Sequence, residues 1–324
     1  MKDVRTLLTD LSALISPPSG EIKVKEYIKE YIGKNAQDAE ISEDALGTLT
    51  VAFKGKRDRS VMLAASSDES VFVVNDADDA GRIRFASLGK LSPSAAAYAE
   101  AEFENGVHGT VVPLDKNASL PDDPLKYGVD ICASSKEEAL RGAAPGTAFR
   151  PTSSLLVNGD VVTGPSVAAK AGVAVLLETA AILSGKEPEN TVLLTFTSQG
   201  KVGARSAGPA AVAASPSAAV SVICVSDFAG GKITLGNGPV AAATTANTVA
   251  DPRVRDALGA PVAVIERTRV PDDGAAAARF ISAGVPAGVL CIPCRYQNTP
   301  RETVNVRDIS EAAKILSEFV DGEF

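Results

Sequence analysis

His108 is the single histidine among the 324 residues, so no site within one subunit can draw on two imidazoles. Acid–base and nucleophilic chemistry must come from hydroxyls, amines, thiols and carboxylates. Ser166 and Lys170 stand one turn apart on an expected helix, the spacing of a serine activated by a neutral lysine, and Ser66, Ser67 and Lys201 are candidates for the same pocket. The competing reading is a helix-capping Ser166 with Lys170 turned to solvent. Asp68 and Glu69 are adjacent on an expected strand and point to opposite faces, which argues against the facing carboxyls of a glycosidase. Cys291-Ile292-Pro293-Cys294 has a redox spacing but ends a strand instead of opening a helix, so packing thiols are expected. With Cys132 and Cys224 the spacing does not support a four-cysteine zinc site. His108 reads as a surface or interface residue, Asp78-Asp79 and Asp122-Asp123 as solvated loops, and Asp272-Asp273 as a helix entry.

The elements that must position these groups follow from hydrophobic periodicity. Val4, Leu7, Leu8, Leu11, Leu14 and Ile15 recur at helical spacing, Pro17-Pro18 stops that helix, and Ile22 to Ile32 repeats the pattern. Residues 48–53 and 60–65 read as neighbouring strands joined by a turn. From about 71 to 162 the chain becomes short β-type runs punctuated by glycine, with one helix at 135–141. That texture predicts a small barrel or sandwich inserted into the chain. From 166 helices and strands alternate, with helices at 166–184, 251–258, 274–283 and 309–320 and strands at 191–197, 218–225, 262–265 and 288–292. The expected fold is α/β: a mixed sheet flanked by helices, residues 1–70 and 163–324, interrupted by a β-rich domain at 71–162.

Hydrophobic residues at 45% and charged residues at 22% describe a chain able to bury a core. Forty acidic residues against 32 basic give a formal charge of −8, which disfavours nucleic acid and anionic membrane surfaces as partners. The opening residues lack a secretory-type apolar run and four cysteines are scattered, so a cytoplasmic, reduced protein is expected.

Five landmarks then resemble one family. Val61-Met62-Leu63-Ala64-Ala65-Ser66-Ser67-Asp68-Glu69 is similar to the strand ending in Ala-His-x-Asp-Glu of the tetrahedral glutamyl and deblocking aminopeptidases, some of which carry the name endoglucanase. Residues 164–172 resemble that family's Gly-Lys-x-Leu-Asp-Asp-Arg-x-Gly, and residues 197–203 its Thr-x-Gln-Glu-Glu-Val-Gly. Residues 218–225 match the strand that carries Asp-Val-Thr, and 295–300 match Arg-Tyr-x-His-Ser-Pro.

The resemblance implies a peptidase fold with two zinc or cobalt ions held by imidazoles and carboxylates, a glutamate base, and dimers assembled through the inserted domain into tetrahedral dodecamers. Carried over residue by residue, the ligand set is absent. The first histidine becomes Ser66, the bridging aspartate Ala168, the base glutamate Gly200, its neighbouring ligand Lys201, the next aspartate Ile223 and the last histidine Asn298. Asp68 persists at the position that orients the missing histidine, and reads as a hydrogen-bonded or lysine-paired structural carboxylate.

The expectation is therefore a metal-free, catalytically inactive relative without cofactor, acting through homo-oligomer assembly, regulation of an active paralogue, or binding of a peptide or small molecule where the metals were. Two hydrolytic alternatives compete with it. One is a loose oxygen-ligand metal site at Asp68, Glu69 and Asp227; the other is a serine–lysine device.

Overall fold

The computed structural model describes residues 3–115, 120–227, 233–265 and 275–323. Helices α1 (Val4–Ser12) and α2 (Ile22–Asn35) precede strands β1 (Glu40–Glu43), β2 (Leu49–Phe53) and β3 (Ser60–Ser66). Next come β4 (Val71–Ala77), β5 (Ile83–Leu88), β6 (Glu100–Phe103), β7 (His108–Pro113), β8 (Tyr127–Asp130), α3 (Lys136–Gly142) and β9 (Ala148–Thr152). The chain continues with β10 (Leu156–Asn158), β11 (Val161–Gly164), α4 (Val167–Leu183), β12 (Thr191–Thr197), α5 (Ala207–Ala214) and β13 (Ala218–Ser226). It closes with β14 (Val240–Thr244), α6 (Pro252–Ala257), β15 (Val262–Val264), α7 (Ala275–Ser282), β16 (Ala287–Arg295), β17 (Glu302–Asn305) and α8 (Val306–Phe319).

Two sheets form. Eleven strands build one mixed sheet in the order β1-β2-β12-β3-β13-β16-β17-β11-β10, with β14 and β15 branching from β16. Its middle, β12-β3-β13-β16, is parallel. Strands β13 and β16 are buried along almost their whole length, as parallel strands covered on both faces require. Strands β2 and β3 are not neighbours: β12 lies between them, antiparallel to β2 and parallel to β3. A strand as apolar as β12 gains more at the centre of the sheet than at an edge, and the six residues 54–59 bridge over it.

The second sheet closes into a six-stranded barrel, β4-β5-β8-β7-β6-β9. Closure leaves it no unpaired edge. Phe72, Phe85, Phe103 and Phe149 fill its interior with ring centroids 4.6–5.4 Å apart. The β10–β11 hairpin, expected within the insertion, pairs instead with the large sheet through β17. Strands β1, β14 and β17 carry no clear periodic signal and are additions to the sequence reading.

Helix α4 organises the body. It is apolar all round, and 14 of its 17 residues are buried. It packs against α1, α2 and α8 on one side and on β3 and β13 on the other. Gly172 lets it approach the sheet closely, because a Cβ there would stand 3.0 Å from the Ala65 methyl and 3.3 Å from the Val222 carbonyl oxygen. None of the described helices is long and apolar enough to cross a membrane.

Candidate functional site

The C-terminal ends of the parallel strands converge, and the residues singled out in the sequence converge with them. Ser66, Ala168, Gly200, Lys201 and Ile223 line one cavity of about 30 Å³. Asn298 and Lys201 line a second of about 20 Å³ beside Glu69 and Glu302. Each has room for one or two waters and none for an amino acid. The small-molecule pocket expected in place of the metals is therefore not present at this position.

Asp68 is buried at the end of β3 and fully engaged. Ser66 Oγ donates to its Oδ1 at 2.5 Å, and the backbone N–H groups of Gly200 and Lys201 donate to Oδ1 and Oδ2 at 2.9 and 2.8 Å. Burial raises its pKa, opposed by the charge of Lys201 and the hydrogen bond from Ser66. Gly200 makes this arrangement possible. A Cβ at that position would lie 1.6 Å from Ser66 Oγ and 2.7 Å from both Ser66 Cβ and Asp68 Oδ1. The space that a side chain at position 200 would need is filled by the Ser66 hydroxyl.

Glu69 points the other way, as alternation along an extended strand dictates. Its carboxylate accepts from Ser16 N–H at 2.7 Å, from Arg150 at 3.2 Å and from Ser166 Oγ, and lies 3.6 Å from Lys170 Nζ. Burial would raise its pKa, but Lys170 and Arg150, with the Ser166 and Ser16 donors, outweigh that and hold it at about 2. Arg150, on barrel strand β9, also pairs with Glu102 of β6 at 3.1 Å, so its bond to Glu69 ties the barrel to the end of β3.

Lys170 is completely buried and donates to Ser16 Oγ, so it does not turn to solvent. Ser166 occupies the N-cap position of α4 but makes no cap hydrogen bond. Its φ of 57° is left-handed, and its hydroxyl goes to Glu69 instead. Glu302 caps the helix in its place: Oε2 accepts from Ala168 and Ala169 N–H at 3.0 and 3.3 Å, and Oε1 from Asn298 N–H at 2.9 Å. Burial raises the Glu302 pKa, while those donors and Lys201 oppose it. Lys201 thus acts electrostatically on both Asp68 and Glu302, a positive charge between two buried carboxylates.

The Ser166 hydroxyl donates to Glu69 and Lys170 Nζ to Ser16 Oγ, while the Ser66 hydroxyl donates to Asp68. Burial lowers the Lys170 pKa, opposed by the charge of Glu69. Asp227 pairs with Arg295 at 2.7 Å, and Asp68 and Glu69 face apart.

Among the described residues no three His, Cys, Asp or Glu side chains form a group able to hold a metal ion. The residues at the ligand positions do not fit the family's two cations. Ala168, Gly200 and Ile223 have no donor, neutral Ser66 and Asn298 are poor ligands, and Lys201 brings like charge. The backbone nonetheless keeps unusual geometry here. Of nine non-glycine residues with positive φ among those described, Ser166, Ala204 and Asn298 line these cavities, and Gln199 and Tyr296 directly precede residues that do.

Cys291 and Cys294 are buried in β16, and Cys224 is buried in β13 beside it. His108 is exposed, with Nδ1 2.8 Å from Glu100. Asp122 accepts from Ser92 and Ser94, and Asp123 caps a short 3-10 turn. Asp272, Asp273 and Gly274 lie outside the described residues. The sequence reading missed Ser16, Arg150 and Glu302. A turn serine, a strand arginine and a glutamate after a proline give no local sign of convergence.

The M42 glutamyl aminopeptidase family matches residues 47–315. A "putative aminopeptidase" of Acetivibrio thermocellus is 30% identical over 98% of this chain and 99% of its own. An aminopeptidase of the archaeon Desulfurococcus kamchatkensis superposes with TM-score 0.88 at 23% identity, over 98% of this chain and 94% of that one. A Pyrococcus horikoshii peptidase that assembles into a tetrahedron or a large octahedral shell superposes with TM-score 0.87 at 21% identity, over 98% and 99%.

Proposed function

The chain belongs to the M42 glutamyl aminopeptidase family, and from that premise we propose that it is a non-catalytic member, its scaffold kept for assembly and not for peptide hydrolysis. One observation carries this reading. By resemblance Gly200 stands where the family has its base glutamate, and the volume a side chain would need there is occupied by Ser66 and Asp68. Restoring a single ligand would not reopen the centre, because each surviving carboxylate is committed to protein donors.

The charge pattern supports the same reading. A cluster of carboxylates deprived of cations would repel itself and suffer desolvation. Here the positions are neutral or, at Lys201, cationic. Assembly is supported by the oligomeric shells of the Pyrococcus horikoshii peptidase, whose fold this chain shares over 98% of its length. We assign it a homo-oligomeric state, or mixed assembly with an active relative, and a cytoplasmic setting.

The test is a peptidase assay on the full chain, freed of carried-over metal and then supplied with zinc, cobalt or manganese, across substrates differing in their N-terminal residue. The expected result is release no faster than the uncatalysed blank. Metal-dependent turnover removed by a chelator would overturn the proposal.

A further inference from the structure

We propose that the free edge of strand β10 is a contact between two copies of the chain, their β10 strands lying antiparallel about a two-fold axis and joining the two large sheets. This rests on the assembly reading above and names a surface that serves it. Strands β1 and β10 end the path of the large sheet and β15 ends its branch, so each leaves one side without a strand neighbour among the described residues. Two of these edges are blunted. β1 carries Glu40 and Glu43, which antiparallel self-pairing would set opposite one another, and Lys25 and Lys29 reach Glu43 at 2.5 and 2.7 Å. β15 starts directly after Pro261, which has no N–H to donate. β10 has neither device, since residues 152–159 include no charge and no proline.

Leu156 and Val157 are each 51% exposed although alternation sends them to opposite faces, so neither face of this strand is covered. The hairpin that carries them is nonetheless firmly held. Gly159 and Asp160 form a two-residue turn between the paired Asn158 and Val161, with Gly159 at φ 59°. Arg5 of α1 donates to the Gly159 carbonyl at 3.0 Å and to Asp160 at 2.6 Å. From α8, Arg307 pairs with Asp160 at 2.5 Å and Val306 N–H donates to Asp160 O at 2.9 Å. An apolar edge fixed in this way loses little freedom on pairing.

Register and charge select a second copy as the occupant. A two-residue turn makes Asn158 and Val161 a hydrogen-bonded pair, so Val157 turns its N–H and C=O away from β11 toward the free side. With the axis at Val157, the two Val157 residues exchange both bonds, and Leu156 of each copy stands opposite Asn158 of the other. Two chains of formal charge −8 repel overall, yet they meet here without opposed like charges. The strand itself has none, and Asp160 is neutralised by Arg5 and Arg307. Three residues a side fall short of the area a stable dimer needs, so the pairing works beside other contacts of the assembly.

The experiment follows native mass and cross-linking of the full chain in a Cys132→Ser background, which removes the exposed thiol. Val157→Cys treated with a short bis-maleimide should give covalent dimers, whereas Ser42→Cys on β1 and Val262→Cys on β15 should give none. The Leu156→Lys/Val157→Lys variant, its fold checked by circular dichroism, should need a subunit concentration about tenfold or more higher to assemble. Three results would overturn this pairing while leaving the assembly reading intact. They are an assembled parent whose Val157→Cys form yields no dimer, a cross-link that appears only on mixing Val157→Cys with Ser42→Cys or Val262→Cys protein, and undiminished assembly of the lysine variant. A monomeric parent would overturn both.

Discussion

The two sides of the 296–301 loop differ sharply in the space they leave, and the difference follows from which groups face it. Toward the sheet, Ser66, Asp68 and Gly200 pack on one another, Glu302 is taken up by Ala168, Ala169 and Asn298, and only water-sized space remains. Toward the barrel, Tyr98 and Tyr296 stand open over a groove more than twenty times larger. Polar groups left without cations are costly in a low-dielectric interior and find protein partners. Exposed rings at a domain junction carry no comparable penalty and stay available.

The closed side can be broken most severely at Glu69. Replacing Glu69 by alanine leaves the buried Lys170 without its carboxylate and Arg150 with Glu102 alone, and urea unfolding should show a loss of about 3–5 kcal/mol. A neutral effect would mean that the cluster does not hold barrel and body together.

Acid probes the same carboxylate more gently. Glu69 is depressed to about 2 in the fold, so its contribution is complete above its unfolded value near 4.5 and is lost as pH falls from there through about 2. Asp68 and Glu302, raised by burial, act in the opposite sense, gaining stability as pH falls through their folded values. The parent should show this acid limb in its unfolding midpoints, and Glu69→Gln should lack it; identical limbs would contradict the assignment.

Gly200→Ala sharpens the comparison further. Its methyl has nowhere to go and should cost about 1–3 kcal/mol, with a smaller cost in a Ser66→Gly background. Equal costs in both backgrounds would show that Ser66 does not fill that space. The open side should respond least. Alanine at Tyr98 and Tyr296 should move the unfolding free energy by no more than about 0.5 kcal/mol, because neither ring is buried. A larger loss would show that the two rings carry packing energy despite their exposure.

Much of the closed side was legible in the sequence because its landmarks are local. The end of β3, the start of α4 and the turn at 197–203 each sit within a few residues, and glycine punctuation announced the barrel. What the sequence hid is long-range pairing. Lys170 reads as a surface lysine until Ser16, 154 positions away, supplies its acceptor. Ser166 has the type of a cap, yet Glu302, 134 residues beyond Ala168, does the capping. The order β2-β12-β3 likewise depends on a strand that arrives more than a hundred residues later. Such partners leave no periodic trace, and neither does a left-handed tyrosine.

The most direct measurement is zinc titration calorimetry on chelator-treated full-length protein, with thermal unfolding recorded before and after. A centre rebuilt from Ser66, Asp68, Gly200, Lys201 and Glu302 predicts no saturable binding at that position and an unchanged unfolding temperature. Two equivalents bound per chain, with a raised unfolding temperature that a chelator reverses, would contradict it.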